Sequence, residues 1–258
     1  MTRKNALSLL LSAGLISGCS TVIADKSAST AQQAITDDKT LAIGAMNNMS
    51  TYLRTLKTFT VNVDSSSDEI LANGQKVSIN KTEQINVERP AKLWAKSSTV
   101  YSQREFYFDG KTFTLYTPDV GYFASFAAPA TVGQLVLKVE QEFGVELPVA
   151  DLFLWGTDAD ASASVEEATI VGIDKVNGVS CNHFAFRQNE LDWQICIQRG
   201  DTPLPLKIVM TEKNLEAQPQ HVSVLQWDTA PDLSTQNYTF SPRKNDHKIN
   251  FGKVGAGQ

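Results

Sequence analysis

Three cysteines are the residues of this chain whose type and position point most directly to chemistry. Cys19 follows the apolar stretch ALSLLLSAGL, whereas Cys181 and Cys196 lie close together in SCNHFAFRQNELDWQICIQRG. A cysteine thiol can be acylated, oxidised to a disulfide, buried as a thiol or used as a metal ligand. The residues around each cysteine indicate which of these chemistries its position favours.

The segment before Cys19 has the composition of a secretory signal. Arg3 and Lys4 supply a short positive region, and the apolar stretch after them is too short to span a bilayer. The letters ISGC, which end at Cys19, resemble the bacterial lipobox, whose cysteine is diacylated, becomes N-terminal by cleavage and is acylated again with fatty acids such as palmitate. We therefore predict a lipoprotein signal peptide over residues 1–18 and a lipid anchor at Cys19. The alternative is an ordinary signal peptide with an incidental cysteine.

An anchor at Cys19 would place the protein in the bacterial cell envelope, with the membrane as its first partner. Two or more acyl chains hold a protein on a membrane far more firmly than one. Ser20, rather than an aspartate, follows the anchor, which by resemblance to the enterobacterial sorting rule favours the periplasmic face of the outer membrane. Residues 19–38 are small and polar, so they predict a lipidated N-terminus and a flexible tether.

Cys181 and Cys196 flank the turn of a predicted hairpin. A two-residue turn at Gln188-Asn189 would place them directly opposite each other, and one at Asn189-Glu190 would place them diagonally on the same face. Either register favours a disulfide in an oxidising compartment, whereas a three-residue turn would separate them as two buried thiols. A metal site is the weakest interpretation, because His183 beside two cysteines lacks the fourth ligand and the spacing of a zinc site.

The rest of the chain carries no recognisable catalytic motif. It lacks a GxSxG elbow, an HExxH helix, a Walker loop and a dinucleotide fingerprint, and it has only three histidines. The letters DADASAS from Asp158 resemble a calcium loop in outline, but Ala163 replaces the required glycine and Thr169 replaces the bidentate glutamate. We therefore predict no enzyme activity, no metal and no cofactor.

Composition narrows the remaining classes of protein. The formal net charge is -5 and no basic cluster is present, so we expect no nucleic-acid partner. Hydrophobic residues make up 42% of the chain, which is enough for a sizeable core, and the first apolar run alone approaches membrane-spanning length. No linker or repeat interrupts the chain after the tether, which predicts a single domain over residues 39–251 and a short tail over 252–258.

Helix and strand patterns follow one another along this domain. TLAIGAMNNMSTYLRTLKTF has the three- and four-residue spacing of an amphipathic helix. The apolar positions of that helix are Leu41, Ala45, Met46, Met49, Leu53 and Leu56. FTVNV, KVSIN and QINVERP alternate apolar and polar residues, as half-buried antiparallel strands do. In REFYFDGKTFTLY, Asp109-Gly110 predicts a type I′ turn that pairs Phe108 with Lys111 and Phe106 with Phe113. The apolar residues of this hairpin then project to one side.

An apolar insert follows the hairpin, with the sequence GYFASFAAPATVGQLVLKVEQEFGVELPVADLFLWGTD. It predicts a strand, a helix capped by Thr131 and a short apolar helix ending at Trp155. An insert that covers the sheet loosely would enclose a pocket, whereas one that packs tightly would only complete the core. We predict a cavity for a hydrophobic ligand lined by Trp94, Phe106, Phe108, Phe113, Leu115, Tyr122, Phe126, Leu135, Val139, Phe153 and Trp155.

These elements predict an α+β fold in which a strongly curved antiparallel sheet, or an open β-barrel, is covered by helices as a lid. AMNNMSTYLRTLKTFTV, QREFYFDGKTFTLYTPDVGYF, ELPVADLFLWGTD and CNHFAFRQNELDWQICIQRGDTPLPLKIV together resemble an uncharacterised family of bacterial predicted periplasmic proteins. That family is remotely similar to the LolA-like superfamily of lipoprotein carriers and receptors. The resemblance implies an apolar cavity under a helical lid that takes acyl chains, but it transfers no ligand-binding residue.

Two functions remain open from the sequence. In the first, a membrane-anchored periplasmic lipoprotein binds a lipid or a lipoprotein acyl chain in an apolar cavity, as a carrier or a receptor. In the second, the core is filled, and the domain is a non-enzymatic interaction or sensing module with an envelope protein as its partner. A solvent-filled cavity of several hundred cubic ångströms distinguishes the first from the second.

Overall fold

The structure is a computed structural model that describes residues 21–145, 147, 149–155 and 164–253, with the backbone alone for residues 21–36 and 151. Cys19, the signal peptide predicted before it and Ser20 lie outside the described residues, as do Asp158 to Ala163 of DADASAS and residues 254–258 of the predicted tail. No helix in the described part of the chain is long and apolar enough to cross a bilayer.

Three helices and twelve strands make up the described fold. The helices are α1 (Thr21–Thr55), α2 (Val132–Phe143) and α3 (Asp151–Leu154). The strands are β1 (Thr58–Ile70), β2 (Lys76–Glu88), β3 (Lys92–Thr99), β4 (Gln103–Phe108), β5 (Thr112–Thr117), β6 (Tyr122–Ala127), β7 (Glu167–Val176), β8 (Val179–Arg187), β9 (Leu191–Gln198), β10 (Pro205–Glu212), β11 (Gln220–Asp228) and β12 (His247–Ile249).

All these strands belong to one curved sheet in the order β12-β6-β5-β4-β3-β2-β1-β11-β10-β9-β8-β7. Neighbouring strands are antiparallel, except that β12 runs parallel to β6. Within the described residues β7 and β12 are the two edges and do not pair with each other, so the sheet is open. The predicted α+β class with a curved antiparallel sheet is confirmed.

One face of the sheet, which we call the inner face, carries the core. In β1 this face bears Phe59, Val61 and Val63, all buried, whereas Asn62 and Asp64, which follow Val61 and Val63, point outward and are exposed. Strand pairing continues the same face across β2 to β6. One row of it consists of Phe59, Val87, Leu93, Phe108, Phe113 and Phe126.

Helix α1 contributes the side chains of one of its faces to this core. Ala42, Met46, Met49 and Leu53 are buried, as the predicted amphipathic pattern requires, but Leu41 is 60% exposed. The helix begins at Thr21, inside the segment predicted as a tether to residue 38. That segment contains no glycine or proline after Thr21, so nothing in its backbone stops the helix from extending.

Hydrogen bonds tie this helix to the edge of the sheet before residue 41. Lys39 Nζ donates to the carbonyl oxygens of Val165 at 2.6 Å and Glu166 at 3.1 Å. Asp38 Oδ2 accepts from the backbone N–H of Ile170 in β7 at 3.2 Å. Residues 38 and 39 are therefore attached to the folded domain.

The β4–β5 hairpin forms, but with a different register from the predicted one. Phe108 pairs with Phe113 and not with Lys111, because Asp109 and Thr112 close the turn one residue later. Asp109 Oδ1 accepts from the backbone N–H groups of Lys111 at 3.0 Å and Thr112 at 2.8 Å, which stabilises the later turn. A shift of two residues in pairing leaves every side chain on its predicted face.

The outer face of β4 to β6 is covered by the C-terminal segment of the chain. The ring of Phe240 lies 4.9 Å from Tyr116, 4.9 Å from Phe123 and 5.4 Å from Tyr107. Burial and a hydrogen bond to Glu105 raise the pKa of Tyr107 to about 12. The aromatic residues of this region are therefore part of the packing on both faces of the sheet.

Candidate ligand cleft

A cavity of about 1020 Å³ opens between one end of the inner face and the segment that contains α2 and α3. We call it the cleft. Its sheet wall consists of Ser67, Asp68, Ile70, Lys81, Glu83, Leu191, Ile208, Met210, Glu212, Leu215, Pro219, Gln220, His221 and Ser223. Its helical wall consists of Val136, Leu137, Glu140, Gln141, Val145, Leu147, Val149, Ala150, Leu152 and Leu154. A cavity of this size accommodates an organic ligand.

The helical wall is largely apolar, apart from Glu140 and Gln141, because α2 is amphipathic and ends in a sharp reversal. Thr131 caps the helix as predicted, with its hydroxyl accepting from Gln134 N at 3.3 Å. Gly144 ends it in the left-handed conformation, with φ of 61°. The chain then turns back, and its apolar side chains, among them Leu147 and Leu152, face the cleft.

Polar side chains on β1 and β11 form part of the sheet wall, where Ser67, His221 and Ser223 line the cleft and Ser65 is buried next to them. Ser67 Oγ lies 2.6 Å from His221 Nδ1, and His221 Nε2 lies 2.8 Å from Ser223 Oγ. Ser223 Oγ in turn lies 3.1 Å from Ser65 Oγ. Strand pairing produces this arrangement, because Ser67 is opposite His221 and Ser65 is opposite Ser223. We call these four residues the Ser–His row.

A buried ion pair adjoins the Ser–His row on β2. Lys81 Nζ lies 3.0 Å from Glu83 Oε1, and the Glu83 side chain is only 3% exposed. Lys81 is opposite Ser65 in the strand register, so the pair continues the polar strip across the sheet. A buried carboxylate of this kind depends on its partner, since an unpaired charge in the same place would be costly.

The other side of the row is mostly apolar. Ile208 and Met210 lie opposite Ser223 and His221 in the register of β10 and β11, and Leu191 on β9 lies opposite Glu212 of β10. The three side chains line the cleft together with the helical wall. The cleft therefore has two chemically different parts, an apolar one and a polar one.

The residues predicted to line a cavity do not line this cleft. Phe106, Phe108, Phe113, Leu135, Val139 and Phe153 are buried in the core, and Leu115, Phe126 and Trp155 pack against it. Trp94 lies on the outer face, opposite Tyr107, and Tyr122 is 45% exposed near His247. The insert packs closely on β4 to β6, as the 5.1 Å contact between Phe126 and Phe143 shows, and leaves the end of β1, β2, β10 and β11 open.

Sequence reasoning missed the Ser–His row, although one signal for it was present. In FTVNVDSSS the inward positions change from Phe59, Val61 and Val63 to serines, and in QHVSVLQWD they are His221, Ser223 and Leu225. A polar stretch at alternate positions on two strands indicates a wetted part of an otherwise apolar face. Only the pairing of β1 with β11, which are distant in sequence, brings the two stretches together.

Cys181 and Cys196 form the predicted disulfide, with a Cα–Cα distance of 5.4 Å. The turn lies at Asn189-Glu190, because the backbone N–H of Gln188 donates to Leu191 O. Cys196 is opposite His183 and Cys181 is opposite Gln198, which is the diagonal arrangement that this turn predicts. His183 Nε2 pairs with Gln194 Oε1 at 3.0 Å.

A family model described as predicted periplasmic protein (DUF2092) matches residues 42–252, which is most of the chain. The chain belongs to this family. The predicted family resemblance is thereby confirmed. No curated protein matches the chain in sequence.

Solved structures with a similar arrangement have low sequence identity to this chain. LprF of Mycobacterium bovis is 13% identical with a TM-score of 0.41, covering 73% of this chain and 94% of its own. The lipoprotein LppX of Mycobacterium tuberculosis is 7% identical with a TM-score of 0.37, covering 73% and 96%. The LolA superfamily protein NE2245 of Nitrosomonas europaea is 8% identical with a TM-score of 0.37, covering 77% and 97%. Likenesses this distant carry no inference about a ligand.

Proposed function

We propose that this DUF2092 protein is a non-enzymatic envelope lipoprotein that binds the acyl chain of a lipid or lipoprotein in the cleft, as a carrier or receptor. The observation that supports this function is a cavity of about 1020 Å³ with a largely apolar helical wall. Burial of roughly ten methylenes there would contribute on the order of 8 kcal/mol before the costs of association. Binding of this strength requires no catalytic group.

The proposed location rests on the sequence before the described domain. Cys19 is the proposed lipid anchor, and Ser20 after it favours the periplasmic face of the outer membrane. The family's description as predicted periplasmic agrees with this compartment, and so does the disulfide between Cys181 and Cys196. A domain tethered there meets lipids and acylated proteins at the membrane surface.

The first test is to identify what the protein carries. The mature chain with Cys19→Ser, which removes the anchor, is purified from a bacterial periplasm and studied by native mass spectrometry and by mass spectrometry of an organic extract. We expect a stoichiometric amphiphile. A protein that is empty, well folded and unable to take up added lipids would contradict the proposed function.

Substitutions in the cleft then locate the binding site. Leu137→Asp and Met210→Asp put a charge into the cleft at two half-buried positions, so we expect each to reduce bound amphiphile at least tenfold without loss of fold. Ile173→Asp is the matched control, because Ile173 is 64% exposed on β7. The readouts are the amount of ligand extracted per protein and the circular dichroism spectrum. Equal ligand in all three variants would place the ligand elsewhere.

The interaction module is the second candidate function, and the edge strand β7 favours it. Val171 and Ile173 on this strand are 54% and 64% exposed, so the edge offers an apolar row to an envelope protein. This function predicts an empty cleft and a cross-linked partner that the Ile173→Asp variant loses. A ligand-bearing protein whose partners are unchanged by Ile173→Asp would exclude it.

A further inference from the structure

The Ser–His row is not explained by acyl-chain binding alone. A cleft for a bare hydrocarbon needs an apolar lining, because a polar group that loses water without a new hydrogen bond costs free energy. Here the inner face of β1 is apolar up to Val63 and becomes polar at the buried Ser65 and at Ser67, which lines the cleft. On the paired strand β11 the same change occurs between Leu225 and Ser223.

The hydrogen-bonding capacity of the row favours a ligand that donates. Each serine hydroxyl has one donor and two acceptor lone pairs, and a neutral imidazole has one of each. Every contact within the row uses one donor and one acceptor, and these contacts use both ring nitrogens of His221, so it is the three serines that retain more acceptors than donors. A head group with hydroxyl or amide hydrogens matches this surplus better than one with acceptors alone.

The charges of the cleft disfavour an anionic head group. Asp68, Glu83, Glu140 and Glu212 line it, whereas Lys81 is the single basic lysine or arginine among its lining residues in the described chain. The charge of Lys81 is offset by Glu83 at 3.0 Å and that of Asp68 by Lys76 at 3.2 Å, so Glu140 and Glu212 give the cleft its net negative charge. An anionic head group would therefore enter a site of net negative charge, and like charges a few ångströms apart repel, more strongly where water is partly excluded.

We propose that the cleft selects its amphiphile by the head group. An uncharged head that bears hydroxyl or amide hydrogens lies on the Ser–His row, and its chain lies over Ile208, Met210 and the helical wall. A carboxylate or phosphate head without such hydrogens is disfavoured. This inference rests on the proposed function, since it requires that the cleft binds an amphiphile at all.

Three probes of one chain length test the selection: monolauroylglycerol, laurate and dodecyltrimethylammonium. Each is titrated below its critical micelle concentration into the mature Cys19→Ser protein by isothermal calorimetry. We expect monolauroylglycerol to bind about tenfold more tightly than laurate. The ammonium probe has no hydrogen to donate, so we expect it to bind more weakly than monolauroylglycerol although the acidic lining attracts it, and tighter binding of the ammonium probe would overturn the inference. Laurate binding equal to or tighter than monolauroylglycerol would overturn the inference.

Variants separate the hydroxyl contribution from the charge contribution. Ser67→Ala and Ser223→Ala should reduce the preference for monolauroylglycerol over laurate about fivefold, through the lost hydrogen bonds. Glu140→Gln with Glu212→Gln should reduce the same ratio by strengthening laurate binding. Asp201→Asn removes one carboxylate outside the cleft and should leave both affinities unchanged. Retained laurate affinity in the serine variants shows that their cleft is intact.

The outcomes distinguish the two proposals. Failure of every probe to bind would contradict the proposed function and this inference together. Binding of all three probes with equal affinity, unaffected by the serine and glutamate variants, would overturn the head-group inference and leave the proposed function standing.

Discussion

At the level of single residues, Arg89 is a charge in the described part of the chain that is poorly accommodated by the fold. Its guanidinium lies 5.8 Å from the ring of Phe59 and 5.6 Å from that of Phe153, and its Nε has no hydrogen-bond partner among the described residues. Burial, and then the positive charge of Arg54, lower the pKa of Arg89. The two aromatic contacts offset part of this cost, since a cation over a ring is attracted by its electrons.

Replacement of Arg89 by methionine should therefore stabilise the domain. Arg89→Met keeps most of the apolar contact with Phe59 and Phe153 and removes the poorly solvated charge, so we expect the free energy of unfolding to rise by about 1 kcal/mol. Urea denaturation measures the change. Lys57→Met, at an exposed position, is the control and should stay within about 0.5 kcal/mol of the parent. A clear loss of stability in Arg89→Met would mean that the guanidinium has a favourable partner.

At the level of elements, the β4–β5 hairpin shows how one side chain selects a turn. Asp109 accepts two backbone hydrogen bonds across the turn, and its Oδ2 accepts a third from Thr239 Oγ1 at 3.3 Å. Partial burial alone would raise the pKa of Asp109, but the hydrogen bonds from Thr112 and Lys111 outweigh it and the pKa is lowered. The ionised carboxylate thus stabilises the hairpin register that the structure adopts.

This lowered pKa makes the stability of the hairpin depend on pH. A carboxyl group whose folded pKa lies below its unfolded value stabilises the fold above that unfolded value, about 3.9, and loses the contribution as the pH falls through the folded pKa. Asp109→Ala should therefore cost about 1 kcal/mol at pH 7 and less below pH ~3. Urea denaturation at both pH values measures the difference. Asp201→Ala is the control, and an Asp109→Ala cost that does not depend on pH would contradict the assignment.

At the level of the whole molecule, the open sheet and the partial cover over it produce the cleft. Helix α2 and the segment after it pack on β4 to β6, where Phe113, Phe126 and Phe143 fill the space between them. Helix α2 and this segment do not fill the space over the ends of β1 and β11, where the Ser–His row lies. The same sheet is therefore a filled core at one side and a ligand-sized cavity at the other.

Ligand binding should consequently stabilise the whole domain but protect only part of it. An amphiphile at one hundred times its dissociation constant adds about 2.7 kcal/mol to the free energy of unfolding. We expect a higher melting temperature and slower amide hydrogen exchange around residues 149–155 and β11, with little change in β3 and β4 below the global unfolding limit. Thermal denaturation and hydrogen exchange with and without monolauroylglycerol measure both. Protection centred on β3 and β4 would contradict the location of the cleft.

The sequence by itself determined the features that depend on neighbours along the chain. Alternating apolar residues define the strands, three- and four-residue spacing defines α1 and α2, and Thr131 marks where α2 begins. The Cys181–Cys196 disulfide could be predicted because its cysteines flank a single turn. The faces of the β4–β5 hairpin were predicted correctly even though its register was not, because a slip of two residues preserves alternation.

Only the tertiary structure decided where the cleft lies and what lines it. Phe106 and Phe113 are residues of a type that can line a cavity. Whether an apolar surface is covered or left open depends on how closely another element packs on it. The Ser–His row likewise exists because β1 pairs with β11, which places His221 beside Ser67 across more than half of the chain. Local patterns determine helices and strands, whereas cavities arise from packing between elements that are distant in sequence. No pattern along the chain shows how closely two such elements will pack.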